Sequence, residues 1–444
     1  MLGKHLISSV LTQIPVFILG IISGIFSTRI LGEEAKGVFS LFQANYLLFL
    51  LIFSFGIQTG VVYFISSKKY SEEIVAGITF TIFLSSSTIL LLLLLGSYFL
   101  NFSNIYLPEN YNSIAYLIAL FILFLLSFFN SLITAFFQSR SKFHIINRIA
   151  IINSVFNAIV FPLIFFYLQY QSISAVEKFN VVLIITVLLL FINSLMWLVL
   201  YIKYITIIPI FSKNISSQIK EFISYSLLIY IGMFVNFFNY RLDLWIVNHY
   251  LDEKQLSHYS LAANINQIIL YLSVTIASVV LPSFSSGDEE SRKKAFIQVS
   301  RFSFLFFLII VAIAFSVSNF IIPIMYGEEF TSTVIPFQIL SLGILFSCIT
   351  QLFSIYLVSS NKNIYNIIAC SIGLIFTVFF DIYLIPKFYT IGASIATLIS
   401  YLAIFIFTYI FVLSRMKIET KNLFLPSKQD FIYLSTLILK LRNK

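Results

Sequence analysis

Charge is what this chain has least of. Of its 444 residues, 10% are Asp, Glu, Lys or Arg and 59% are hydrophobic, and the mean hydropathy is +0.99. A water-soluble fold of that length needs far more polar surface to cover its core. Cysteine is scarce too. Cys348 and Cys370 both fall inside apolar runs, which marks them as packing residues rather than a disulfide or metal pair. The four histidines, His5, His144, His249 and His258, lie at the ends of apolar runs without metal-ligand spacing. No Gly-rich or Pro-rich linker sets off a soluble domain. No Walker A loop or Gly-rich phosphate cradle occurs, so nucleotide bound to this chain cannot drive work, and no cofactor is expected.

What is present is a succession of apolar runs of 20 or more residues, the mark of a polytopic α-helical membrane protein. The runs read as twelve spans: 6–31, 39–65, 74–100, 114–138, 145–168, 179–202, 222–251, 258–284, 302–326, 333–358, 364–385 and 391–413. The first run lasts about 25 residues, too long for a signal-peptide core, and reads as a retained helix. Of the 27 Lys and Arg, six fall on one side of this alternation: Arg29, Lys36, Lys178, Arg241, Lys254 and Lys387. The other 21 share the side of the N-terminus. That side is therefore cytoplasmic, with both termini inside. The net charge of +9 has the same origin and does not point to nucleic acid. Residues 416–444 form a basic tail, either a helix lying on the inner leaflet or a frayed end.

One short motif is written twice. "ILGEEAKGVFSL" at Ile30–Leu41 parallels "YLDEKQLSHYSL" at Tyr250–Leu261, an offset of 220 residues. "LITAFFQSRSK" from Leu132 parallels "LFSIYLVSSNK" from Leu352 at the same offset. "VVYFISSKKYSEE" from Val61 parallels "VVLPSFSSGDEES" from Val279, and "PENYNS" from Pro108 parallels "GEEFTS" from Gly327, near it. A common spacing in a common order indicates a duplicated six-helix half. Six is even, so the two copies enter the membrane from the same side and are parallel repeats. The expected organisation is a six-helix lobe over 1–213, a second over 214–415, and the tail 416–444. Paired lobes around a cavity are transporter architecture.

Three stretches resemble polysaccharide-export flippases. They are "STRILGEEAKGVFSL" at the end of span 1, "YRLDLWIVNHYLDEKQLSHYSLAANI" from Tyr240, and "NIYNIIACSIGLIFTVFFDIYLIPKFYTIGASIATLISYL" across spans 11 and 12. The resemblance runs along the chain and marks the O-antigen and capsule repeat-unit flippases of the multidrug/oligosaccharidyl-lipid/polysaccharide exporter superfamily. It implies two six-helix bundles in a V, as in multidrug-extrusion transporters, that opens alternately to either side. It implies a cargo of undecaprenyl-diphosphate-linked oligosaccharide carried from inner to outer leaflet of the cytoplasmic membrane. Membrane lipids, a polysaccharide polymerase and chain-length machinery are the implied partners. One departure stands out: the loop between spans 11 and 12 commonly has Gly after Pro, whereas here Pro386 is followed by Lys387, Phe388 and Tyr389. Twelve spans also set the chain apart from the fourteen-span lipid II flippases of that superfamily.

Ionisable residues inside spans are costly and default to functional candidates. Span 7 carries Arg241 and Asp243. Gly232, Asn236, Asn239 and Asp243, spaced 4, 3 and 4, share one helical face that would line the cavity. Arg241 lies about 200° from Asp243, on the side of Phe234, Phe238 and Trp245. It either meets a neighbouring helix or the diphosphate, or snorkels to the outer interface. Arg29, at the end of span 1, is an interfacial anchor or a ligand contact. Ser260, Asn264, Gln267 and Tyr271 form a stripe that would bond sugar hydroxyls or glue helices together, and the glue reading is favoured for Asn45. Asp381, one turn before Pro386, is a candidate gate or ion-coupling residue, as is Asp243.

Two other readings compete. A drug/cation antiporter on the same fold would want Asp243 and Asp381; a diphosphate carrier would want Arg29, Arg148 and Arg241. A membrane polymerase or ligase would want a large outer loop, and every outer loop here is about a dozen residues or fewer, so the chain is not expected to be an enzyme. The 21-to-6 charge bias makes a direct prediction. In intact cells, cysteines placed by Ser139→Cys and Ser286→Cys stay shielded from impermeant thiol reagents. Those placed by Asn110→Cys and Glu329→Cys react. The opposite labelling pattern reverses the orientation.

Overall fold

The computed structural model describes residues 2–210, 215–285, 288–416 and 421–424. The expected repeat boundary at 213/214, Ser286, and all of the tail 416–444 except 416 and 421–424 lie outside the described residues. The elements are α1 (Leu2–Ser54), α2 (Ile57–Ser66), α3 (Glu72–Phe99), α4 (Ile114–Ser139), α5 (Phe143–Leu168), α6 (Ala175–Tyr204), α7 (Ile215–Tyr250), α8 (Glu253–Ser285), α9 (Glu289–Tyr326), α10 (Val334–Ser359), α11 (Ile364–Met416) and the single turn α12 (Lys421–Phe424). No strand forms among the described residues. Water is absent from hydrocarbon, so each peptide group must bond within its own helix.

Two helices are too long to be single spans. At ~1.5 Å per residue, the 53 residues of α1 and of α11 would each run about 80 Å, against a hydrocarbon core of about 30 Å. Each is broken inside. α1 turns at Gly32 (φ 70°, ψ −179°), a conformation that costs a residue without Cβ little. α11 turns at Tyr389 (φ 53°, ψ −134°), within the bulky Lys387–Phe388–Tyr389 stretch. A side chain as large as Tyr rarely takes positive φ. Among the described residues, nine helices are long and apolar enough to cross a membrane, and α7, bent by 49°, makes a tenth. Counting both arms of α1 and of α11 gives the twelve spans expected. Leu92, Leu163, Phe320, Ile375 and Phe379 stand exposed in mid-span, as lipid-facing side chains do.

By packing, the chain divides into Met1–Ser257 with Met325–Glu329, and His258–Ile324 with Phe330–Lys444. The division falls after α7, not before it as the repeat boundary would have it. The reason is local. Phe64 of α2 stacks on Phe222 of α7 (4.9 Å between centroids), and Tyr63 stacks on Tyr225 (4.0 Å). α7 is thereby bound into the first unit. That unit's core gathers around Phe179 of α6, which meets Phe42 at 5.7 Å and Tyr111 at 4.7 Å.

The second unit has its own core. Phe296 of α9 stacks on Tyr356 of α10 at 4.0 Å, and Phe284 of α8 packs edge-on to both. Phe424 of α12 sits against Phe304, Phe405 and Tyr409, so this much of the basic tail is docked. One helix of each unit matches the other in detail. α4 and α10 begin at 114 and 334 and end at 139 and 359, both 220 residues apart. Each ends in the same left-handed cap, with Ser141 at φ 55° and Asn361 at φ 57°. Lys142 N–H donates to Phe137 O (3.0 Å) and Lys362 N–H to Leu357 O (2.8 Å), closing equivalent Schellman turns.

The duplicated loop motif meets itself. Gly37 packs on the first turn of α8, where a Cβ would fall 2.6 Å from both Glu253 O and Ser257 N. Ser257 is the residue 220 positions on from Gly37. Backbone atoms cannot yield as a side-chain tip can. Gly37→Ala is therefore expected to lower the melting temperature in detergent, at a cost of ~1–3 kcal/mol. Gly96→Ala, with nothing within 4 Å, should leave it unchanged or raise it. Equal melting of the two variants would contradict the close approach.

Candidate functional site

The charges at helix ends are paired within the first unit. Lys254 reaches Glu33 (2.7 Å) and Glu34 (3.5 Å) beside the Gly32 break. At the opposite ends of these helices Arg140 is bridged to Glu72, and Lys69 and Tyr70 both bond Glu221. The Glu221 carboxylate holds the Lys69 ammonium and the Tyr70 hydroxyl above their ordinary pKa values by hydrogen bonding. Residues placed on one side by the span count meet residues of that same side.

The interior is different. α7 lies along the second arm of α1, and Trp245 Nε1 donates to Asn45 Oδ1 (2.8 Å), whose Nδ2 donates to Tyr106 O (2.7 Å). Asn45 is thus glue between three segments. Arg241, one turn before Trp245, is half-buried, and its charge acts on Lys36 and Tyr46 of that arm. Phe234 and Phe238 share this side, with centroids 4.8 Å apart.

The other predicted face of α7 divides. Asn239 and Asp243 are buried, whereas Asn236 is exposed. Asn239 Nδ2 donates to Val235 O (3.0 Å), and Asp243 Oδ1 accepts from Leu244 N–H (2.9 Å). Arg29 Nε donates to Met325 O (2.8 Å), and its guanidinium lies 5.8 Å from the Phe165 ring centre. That is an anchor's set of contacts.

In the second unit, Asn264 and Gln267 are half-buried, Ser260 is buried and Tyr271 is exposed. The helix glue is their unremarked neighbour Asn266, which donates to Phe337 O (3.2 Å) and accepts from Ser341 Oγ (3.0 Å). Asp381 is fully buried in α11, one turn after Thr377. Thr377 Oγ1 donates to Ser400 Oγ (2.7 Å) on the other arm of α11, and the Tyr259 hydroxyl bonds Thr397 Oγ1 (2.9 Å). A buried polar seam thus joins the two arms of α11, about three turns below the break.

Lys36 is the functional candidate that pattern reading passed over. Counted as a loop charge between spans, it is in fact helical and only 7% exposed. The signal was available: Lys36 and Ser40, one turn apart, straddle Gly37 at the start of an apolar run, and Lys36 Nζ donates to Ser40 Oγ (3.1 Å).

Known proteins of similar sequence or fold bear on this arrangement. An uncharacterized membrane protein of Methanocaldococcus jannaschii is 28% identical over 289 residues, which are 64% of this chain and 55% of that protein. The chain thus spans about half the length of this curated relative. Among solved structures, the lipid II flippase MurJ in an inward closed conformation aligns with a TM-score of 0.72 at 19% identity, over 98% of this chain and 93% of that one. An inward-facing multidrug resistance MATE family transporter of the MOP superfamily aligns at 0.62 and 14% identity, over 90% and 95%. The fold is that of these transporters. The profile of the polysaccharide biosynthesis protein family matches residues 2–288, and the chain belongs to that family.

Proposed function

We propose that this protein flips a lipid-linked oligosaccharide, an undecaprenyl-diphosphate-borne precursor of O-antigen or capsule, across the cytoplasmic membrane by alternating access. Both termini are cytoplasmic in this reading, the two six-helix sequence repeats are its moving halves, and a polymerase with its chain-length machinery takes up the product. The observation that carries it is Arg241, half-buried in the first unit and one turn from the Trp245–Asn45 bond that joins α7 to the second arm of α1. A diphosphate entering a low-dielectric interior brings about two negative charges, and each unpaired charge costs several kcal/mol there. Arg supplies a planar fork that binds phosphoryl oxygens in pairs. Asn236, Asn239, Asn264 and Gln267 are the proposed sugar-bonding groups, and Arg29 stands at the rim. Energy comes from an ion gradient through Asp243 and Asp381, or from consumption of the product. The two buried aspartates also favour a second reading, a cation antiporter on the same fold.

One experiment separates them. In a deletion strain complemented with variants, Arg241→Ala and Arg241→Glu abolish surface polysaccharide on gels while the protein accumulates normally on blots. Arg241→Lys keeps partial export, because it retains charge and loses the fork. Asp243→Asn slows export and alters its response to proton or sodium gradients. Normal polysaccharide from Arg241→Ala at normal protein level would refute the flippase site and leave the antiporter.

A further inference from the structure

A recess lies apart from the proposed transport site, in the first unit, where α3 begins and α4 and α6 end. It is a cleft of about 210 Å³ with almost wholly apolar walls. Thr79 and Phe83 of α3, Phe129 and Phe136 of α4, and Leu198 and Tyr201 of α6 form them. Phe129 and Phe136 are about two turns apart, so the cleft runs roughly 10 Å along the helices. The chain after α6 closes its end. The Tyr201 hydroxyl donates to Ile207 O (3.2 Å), and Ile210 N–H donates to Glu73 O (3.0 Å). Gly77 has no room for a Cβ beside the Ile210 carbonyl, which fixes the close approach of this segment to α3. Ile207 and Pro209 thus make the floor. Phe80 and Leu198 at the mouth are 44% and 38% exposed. Large apolar side chains exposed on a span mark an opening to hydrocarbon.

The rim of the cleft is basic. Lys142 and Lys203 both lie at the Tyr204 ring, 5.1 and 5.5 Å from its centre, and Lys142 also donates to Tyr204 O (3.2 Å). Tyr204 is one turn beyond Tyr201 of the cleft wall. Of the two acids nearby, Glu72 is taken by Arg140 and Glu73 is bonded to Ser71. Among the described residues no carboxylate pairs with Lys142 or Lys203. We infer that this cleft holds an anionic phospholipid of the surrounding bilayer, with an acyl chain in the slot and the phosphate at Lys142 and Lys203. Charge complementarity selects the occupant. A neutral lipid fills the slot and leaves both ammoniums uncompensated. A free phosphate meets the ammoniums and leaves the slot empty. The cargo of a flippase also joins an apolar chain to an anion, but its headgroup must pass inward, and here Thr79 and Ile133 are buried and close the inner wall. The occupant therefore stays at the membrane surface, on the cytoplasmic face in the orientation proposed above. Packed against Ile207 and Pro209, it makes the seat of the chain leading to α7 sensitive to the anionic lipid content of the bilayer. The inference does not depend on what the protein transports.

The test uses purified full-length protein, delipidated in detergent. It is melted with phosphatidylglycerol, phosphatidylcholine, undecaprenyl phosphate, or sodium phosphate at equal ionic strength, and retained lipid is counted by native mass spectrometry. Phosphatidylglycerol raises the melting temperature and stays bound; phosphatidylcholine does so far less, and sodium phosphate gives no shift. The double variant Lys142→Met with Lys203→Met keeps both stems and removes both charges. It melts as wild type does without lipid and binds phosphatidylglycerol at least ~10-fold more weakly. Leu198→Trp fills the mouth, leaves both lysines in place, and also loses the phosphatidylglycerol shift. An undiminished shift in both variants overturns the inference, as does an equal shift with phosphatidylcholine or sodium phosphate. A larger shift with undecaprenyl phosphate than with phosphatidylglycerol overturns it in favour of the cargo's chain. A double variant that melts well below wild type without lipid overturns it too, because the lysines then serve only to cap the C-terminus of α6.

Discussion

A charge that leaves water must find its partner inside the protein, and the arrangement of this chain follows from that constraint. It explains why so little of the sequence is charged, since each ion placed in hydrocarbon costs several kcal/mol unless compensated. It also explains where the charges went. Arg140 with Glu72, Lys69 with Glu221, and Lys254 with Glu33 and Glu34 all sit at helix ends, each cation beside an acid. Exposed pairs of this kind contribute little stability singly. Their value here is in joining loops that belong to one face of the membrane. Away from the helix ends, Asp243 and Asp381 are charged residues buried inside spans, where functional candidates are sought first.

The same constraint shapes the backbone. A chain that must keep its peptide groups bonded can reverse direction only where the break is brief, and α1 and α11 do so at single residues, Gly32 and Tyr389. The two breaks are chemically unlike. Glycine takes φ 70° without a Cβ to obstruct it, whereas Tyr389 at φ 53° must be held there by its surroundings, at a cost of order 1–3 kcal/mol. The arms that meet at the second break are tied further down by the buried Thr377–Ser400 bond.

Helices and spans were legible in the sequence because hydropathy and length are properties of single segments. The Schellman turns at Ser141 and Asn361 were foreshadowed by the parallel of "QSRSK" with "VSSNK", since a turn is also local. What could not be read was which neighbour each face would meet. The spacing of Asn236, Asn239 and Asp243 put them on one side of α7, but only packing decides that Asn236 is exposed and the other two are buried. Asn266, one of the best-bonded polar side chains in the second unit, gave no periodic signal of its own. Lys36 was misplaced for a different reason. The "LGEEAK" stretch looks like a loop by composition, so the helix was started at 39, whereas a one-residue break at Gly32 lets helical geometry resume at once and carry Lys36 inward.

α7 is where these threads meet. By ancestry it opens the second sequence copy; by packing it belongs to the first unit, through Phe222 on Phe64 at one end and Trp245 on Asn45 at the other. It also carries both signs of charge on nearly opposite sides, Arg241 toward the second arm of α1 and Asp243 on the face it shares with Asn239. An anion arriving at Arg241 changes the balance on one side of this helix. A proton or cation arriving at Asp243 changes it on the other. Either event would act on the arm of α7 that carries the Trp245–Asn45 bond. In the proposed flippase, a single element that met the cargo on one face and an ion on the other would be the minimum needed to couple the two, and α7, with Arg241 and Asp243 two residues apart, is the described span that offers it.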